Sequence, residues 1–119
     1  MNSKKKEKPQ STKYQFFQTE RQFRKVAIAK LKRLPNSWFE SVQQHSISGT
    51  PDVVGCVNGS FVGVEFKRSK NAYISKLQQH KLQKIVDAGG LGLVMEPSNF
   101  EELFSLISYL STQKCEETE

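Results

Sequence analysis

At 119 residues the chain is long enough to bury one hydrophobic core and too short for two domains. No apolar run approaches a membrane-spanning length and none follows the N-terminal charges, so neither a transmembrane helix nor a secretory leader is expected. The net charge of +6 favours polyanionic partners and is uneven: residues 1–13 carry +4 and residues 113–119 carry −2, which reads as a basic and an acidic disordered tail around a folded domain at 14–112.

In chain order, Thr19-Glu20-Arg21-Gln22 has the form of a capping box. Phe23, Val26, Ala27, Leu31 and Leu34 follow at helical spacing until Pro35, so a first helix is expected over residues 20–34. Arg21, Arg24, Lys25, Lys32 and Arg33 fall mostly off that apolar stripe, as on a solvated face, a position that also serves for phosphates. Residues 38–43 alternate loosely and read as a strand, followed by a Ser/Gly/Thr/Pro loop that leads to Asp52. Two apolar runs, Val53-Val54-Gly55-Cys56-Val57 and Phe61-Val62-Gly63-Val64, flank Asn58-Gly59. That dipeptide predicts a tight hairpin, because both central residues of a type I′ turn need positive φ.

A second helix starts near Ser75, with Leu77, Leu82, Ile85 and Val86 on one side, and stops at Ala88-Gly89-Gly90. Leu91-Gly92-Leu93-Val94-Met95 reads as a buried strand; reached through a helix, it is expected to run parallel to a neighbour. Ser98-Asn99-Phe100-Glu101 repeats the capping-box pattern and opens a last helix with Leu103, Phe104, Ile107 and Leu110 inward. The order α-β-β-β-α-β-α gives an α/β domain with a mixed sheet flanked by helices.

The hairpin fixes where the charges go. With Asn58 and Gly59 as the loop, Val57 faces Ser60, and stepping back along both strands sets Asp52 opposite Glu65. Opposed residues share a sheet face at about 5 Å, and like charges so placed repel. Lys67 projects from the same face as Glu65, because strand side chains repeat every second residue, while Val62, Val64 and Phe66 point the other way into a core. Two carboxylates and a lysine on one face have the composition of a divalent-metal site with a cationic partner.

That element order, joined to Pro51-Asp52, Glu65-Phe66-Lys67 and an acidic residue opening the first helix, resembles the PD-(D/E)XK nuclease superfamily, and within it the VRR-NUC (virus-type replication-repair nuclease) family. Gly49-Thr50-Pro51-Asp52 is similar to that family's Gly-x-Pro-Asp signature. Ser75-Lys76-Leu77-Gln78 with Ala88-Gly89-Gly90 is similar to its Ser-x-x-Gln helix and terminal glycines. The resemblance implies a restriction-endonuclease-like αβββαβ core and hydrolysis of phosphodiester bonds in DNA with Mg2+ or Mn2+. It implies Asp52, Glu65 and the Phe66 main-chain carbonyl as metal ligands, and Glu20 completing the shell directly or through water. Lys67 would position or deprotonate the attacking water, and Gln78 would support Lys67 or a water. Arg68 and Lys70, just past the motif, are candidate nucleic-acid contacts. One site on so small a chain implies either a nick in one strand or paired cuts by a homodimer at a branched junction, as in Holliday-junction resolution. A small stand-alone nuclease would suit phage or mobile-element DNA processing.

Each residue also has a plainer reading. Asp52 and Glu65 can be an exposed pair on a sheet rim, Glu20 the acidic first-turn residue that suits a helix dipole, and Gln78 the N3 member of its own capping box. The alternative for the whole chain is a non-catalytic nucleic-acid-binding module, which needs no carboxylate pair. His45, Cys56, His80 and Cys115 lack the paired spacing of a structural zinc site, and two dispersed cysteines are no disulfide framework. An intracellular protein with no membrane partner is therefore expected, and the association with small stand-alone nucleases suggests a bacterial cytoplasm or that of a phage host.

Overall fold

A computed structural model describes residues 19–42 and 49–114. The basic tail expected at 1–13, His45, Cys115 and the end of the acidic tail lie outside the described residues. The elements run α1 (Glu20–Leu31), β1 (Ser37–Ser41), β2 (Val53–Val57), β3 (Ser60–Phe66), α2 (Lys76–Asp87), β4 (Leu91–Met95) and α3 (Phe100–Ser111), in the order the sequence predicts. The four strands form one mixed sheet ordered β1-β2-β3-β4. The first two pairings are antiparallel and β3 runs parallel to β4, as expected for a strand reached through a helix.

The hairpin forms at Asn58 and Gly59, both with positive φ (47° and 92°), and its register is the one the turn dictates. Val57 pairs with Ser60 and Val53 with Val64, which carries Asp52 opposite Glu65 one step beyond the ladder. The β1 side extends the same alignment, because the Val42 N–H donates to the Asp52 carbonyl at 2.8 Å.

Alternation along the strands then separates two faces. Val53, Val57, Val62, Val64, Phe66 and Met95 point to one side, where Phe23, Ala27 and Leu31 of α1 and Phe100 and Ile107 of α3 complete a closed core. The Phe23 ring meets Phe66 and Phe100 edge-on, each at 5.8 Å between centroids, the geometry aromatic quadrupoles favour. On the other side α2 packs against β3 and β4. The contact is close because Gly92 has no Cβ; one there would lie 2.5 Å from the Leu82 carbonyl.

Three local expectations are corrected. α1 ends at Leu31 and not at residue 34: the chain tightens into i→i−3 bonds from Arg33 and Leu34, since Pro35 disfavours helical backbone at the residue before it. Leu77 and Val86 are exposed, and Leu82 is the buried residue of α2. The capping box expected at Ser98 does not form. Ser98 donates both its N–H and its hydroxyl to the Glu96 carboxylate, while Asn99 bonds the main chain at Glu96 and Val94. Glu96 is 6% exposed, and a buried carboxylate needs donors more urgently than a helix end does. Among the described residues no helix is long and apolar enough to cross a membrane.

Candidate active site

Parallel β3 and β4 end beside the N-terminus of the connecting α2, the kind of crevice at strand carboxyl ends where open α/β sheets bind ligands. Glu65 sits there on the face opposite the core and is 4% exposed. Its Oε2 accepts a hydrogen bond from Gln78 Nε2 and pairs with Lys67 Nζ at 3.7 Å. The Lys67 side chain is itself only 15% exposed, so it is not a plain surface lysine.

Gln78 reconciles its two readings. Ser75 Oγ accepts the Gln78 N–H and the Gln78 side-chain oxygen accepts the Ser75 N–H, a complete capping box. The remaining end of the same amide is the donor to Glu65. The cap thus fixes the amide's rotamer, and the fixed rotamer aims its N–H₂ at the carboxylate.

Asp52 is half-buried, and its carboxylate bridges two elements. Oδ2 accepts the Phe66 N–H at 2.8 Å and Oδ1 lies 3.6 Å from Arg24 on α1. Arg24 also binds Glu20 Oε2 at 3.2 Å, one helical turn back. Glu20, Asp52 and Glu65 are therefore gathered at one end of the sheet, two of them through a guanidinium. The loop before Asp52 is held against α2 by Gly49, whose φ is +80° and whose missing Cβ would lie 2.8 Å from the Leu77 side chain.

Burial pushes the Glu65 carboxyl up from 4.5 to about 7; the charges of Asp52 and Glu20 push the same way, against Lys67 and Arg24. A carboxyl raised by burial and by neighbouring carboxylates in a crevice makes Glu65 a candidate functional group. The oxygens of Asp52 and Glu65 are hard donors of the type Mg2+ or Mn2+ prefers, and a cation would relieve the charge that raises Glu65. The fit rests on those two side chains: among the described residues no three His, Cys, Asp or Glu side chains are drawn together as ligands, since Glu20 is turned to Arg24.

Arg68 and Lys70 are exposed in the loop after Lys67 and line a cavity of about 380 Å3 together with Glu96 and Ser98. They flank the site without touching its carboxylates. Sequence reasoning undervalued Arg24, which it placed on a solvated face. The i,i+4 spacing from Glu20 was the available signal, but Arg24's reach to Asp52 depends on how α1 crosses the sheet.

No family model and no curated protein matches the chain. A solved structure described as a "VRR_NUC domain protein" superimposes with a TM-score of 0.64 at 16% sequence identity, over 79% of this chain and 91% of that one. The chain has a VRR-NUC-like fold. At that identity the likeness is one of architecture: a mixed four-stranded sheet with helices on both faces, consistent with a restriction-endonuclease-like core. In this chain the Asp52 loop, the end of β3 and the start of α2 converge, and these segments carry Asp52, Glu65, Lys67 and Gln78.

Proposed function

We propose that this protein is a metal-dependent DNA endonuclease hydrolysing phosphodiester bonds in branched or otherwise structured DNA. The observation that carries the reading is the buried Glu65, set opposite Asp52 by the hairpin register, with Lys67 on the same face and Gln78 locked onto it.

Asp52, Glu65 and the Phe66 carbonyl would hold Mg2+ or Mn2+, with Glu20 joining directly or through water once Arg24 releases it. Bound there, the ion would supply Lewis-acid polarisation of the phosphate and a more acidic water. The chain's own groups do the positioning. Gln78 holds Glu65 in one orientation, and the Phe66 N–H does the same for Asp52. Lys67, restrained beside Glu65, orients the attacking water, takes part in its deprotonation and offsets charge growing on the phosphate. Arg24 balances Glu20 and Asp52 and would be free to meet a phosphate once a metal ion neutralised those carboxylates. Arg68 and Lys70 would hold flanking phosphates, contacts that position a strand without reading its sequence.

The test is cleavage of supercoiled plasmid, linear duplex, single strand and four-way junction in Mg2+, Mn2+ or EDTA, with wild type run beside Lys67→Ala. Metal-dependent cutting lost in the variant is the expected result, and relaxed plasmid against paired junction cuts separates a nickase from a resolvase acting as a homodimer. Folded wild type that binds DNA and cuts nothing under any metal would make the protein a binding module instead.

A further inference from the structure

The sheet face that carries Asp52 and Glu65 is only half covered. Among the described residues α2 packs on β3 and β4, and no helix packs on the β1 and β2 part of that face. In the ladder Trp38 pairs with Cys56 and Cys56 with Phe61, so these three form one row across β1, β2 and β3 on a single face. Two strand spacings place the aromatic residues roughly 10 Å apart. Trp38 is 59% and Phe61 48% exposed, and Cys56 between them is exposed too. Large aromatic rings standing in water on a flat sheet need an explanation, since folding gains nothing from leaving them there.

The row joins the catalytic end along both strands. Phe61 and Glu65 lie on one face four residues apart, roughly 13 Å along β3. Beside Phe61 lies a cavity of about 360 Å3, in the size range of ligand sites, lined by Pro51, Val54, Phe61, His80, Lys81 and Lys84 among others, and the Ile85 and Pro51 side chains close over Gly63 midway to Glu65. Pro51, one wall of this cavity, immediately precedes Asp52 in the chain. No carboxylate lines it, although Glu40 stands on the same sheet face beside Val54. An aromatic floor with a lysine rim is the composition of a surface that stacks unpaired bases and tracks their phosphates.

We infer that the Trp38/Phe61 face with its Lys81/Lys84 rim is a stacking platform for an unpaired DNA strand, on the same sheet face as the catalytic carboxylates. The inference rests on the nuclease reading and gives its substrate a form: a duplex or junction with a single-stranded arm. Backbone contacts at Arg68 and Lys70 would then lie on the opposite side of the scissile phosphate from the stacked bases.

Trp38 is the chain's single tryptophan, so its emission reports on the platform directly. The full chain is titrated in EDTA, where no cutting is expected, with a twelve-nucleotide oligo-dT and with a duplex of equal length. Oligo-dT is expected to quench Trp38 and to bind more tightly than the duplex. Phe61→Ala should weaken oligo-dT binding about tenfold, Phe61→Tyr should restore it, and Lys84→Ala should flatten the salt dependence by about 0.7 in log K per log salt. Because binding is read without metal, failure of the nuclease assay leaves this result standing. Absence of quenching together with equal oligo-dT affinity of wild type and Phe61→Ala overturns the platform even if plasmid is cut. So does a Trp38 emission that shifts with protein concentration alone, which would mean that a second copy covers the face.

Discussion

The two faces of the sheet are built from alternate residues of the same strands and solve opposite problems. On the core face Phe39, Val53, Val57, Val62, Val64, Phe66 and Met95 are buried among apolar neighbours, and Phe23 meets Phe66 and Phe100 edge-on. On the other face a buried carboxyl sits against a second one, with its proton affinity raised by burial and repulsion. Stability is concentrated on one side of β3 and surrendered on the other, one residue apart at Phe66 and Glu65. A single strand can therefore carry a rigid support and a destabilised site because its side chains alternate.

The strongest way to break this contrast is on the charged face. Asp52→Ala is expected to lower cleavage by about 10³-fold or more, several kcal/mol of barrier, while thermal unfolding changes little. Undiminished cutting by purified Asp52→Ala would remove the assignment. Phe23→Ala attacks the other face and should reverse the pattern, costing about 3–5 kcal/mol of stability in urea denaturation through the cavity it leaves.

Glu65→Gln sharpens the comparison through pH. In the folded chain Glu65 keeps its proton up to about 7, against 4.5 for an ordinary carboxyl, so the folded state binds the extra proton between those values. Stability must then fall as pH rises through that window, by on the order of 3 kcal/mol once above it, and Glu65→Gln removes this loss. In EDTA the variant should match wild type near pH 4.5 and exceed it at pH 8, and added Mg2+ should narrow the gap by stabilising wild type. Identical pH slopes in both proteins would refute the charge conflict at this site.

The finest test separates the cap from its by-product. Ser75→Ala should cost about 1 kcal/mol of stability by removing the N-cap while leaving the Gln78 donor to Glu65 in place, so cleavage should hold. Gln78→Ala keeps the Ser75 Oγ cap, whose donor is the main-chain N–H of residue 78, but loses the side-chain bonds to the Ser75 N–H and to Glu65, and is expected to slow cleavage about 10- to 100-fold, the usual effect of losing a group that orients a ligand. Equal cleavage by the two variants would reduce Gln78 to its capping role.

The order of elements, the hairpin register and the Asp52–Glu65 opposition were all determined by the sequence, because each follows from local rules. An Asn-Gly pair sets the turn, the turn sets the register, and alternation sets the face. The ends of α1 and α3 were less legible, since Pro35 and the buried Glu96 redirect donors that capping patterns assign to the helices. What tertiary structure alone decided are the contacts between segments far apart in the chain. Arg24 turning to Asp52, Asn58 tying the hairpin to the Leu110 carbonyl at 3.0 Å, and Gln78 reaching Glu65 across the crevice all depend on how the helices lie on the sheet. So does the exposure of the aromatic row, for strand periodicity sets Trp38 and Phe61 on one side, but the placement of α2 over β3 and β4 decides which part of that side the described helices cover.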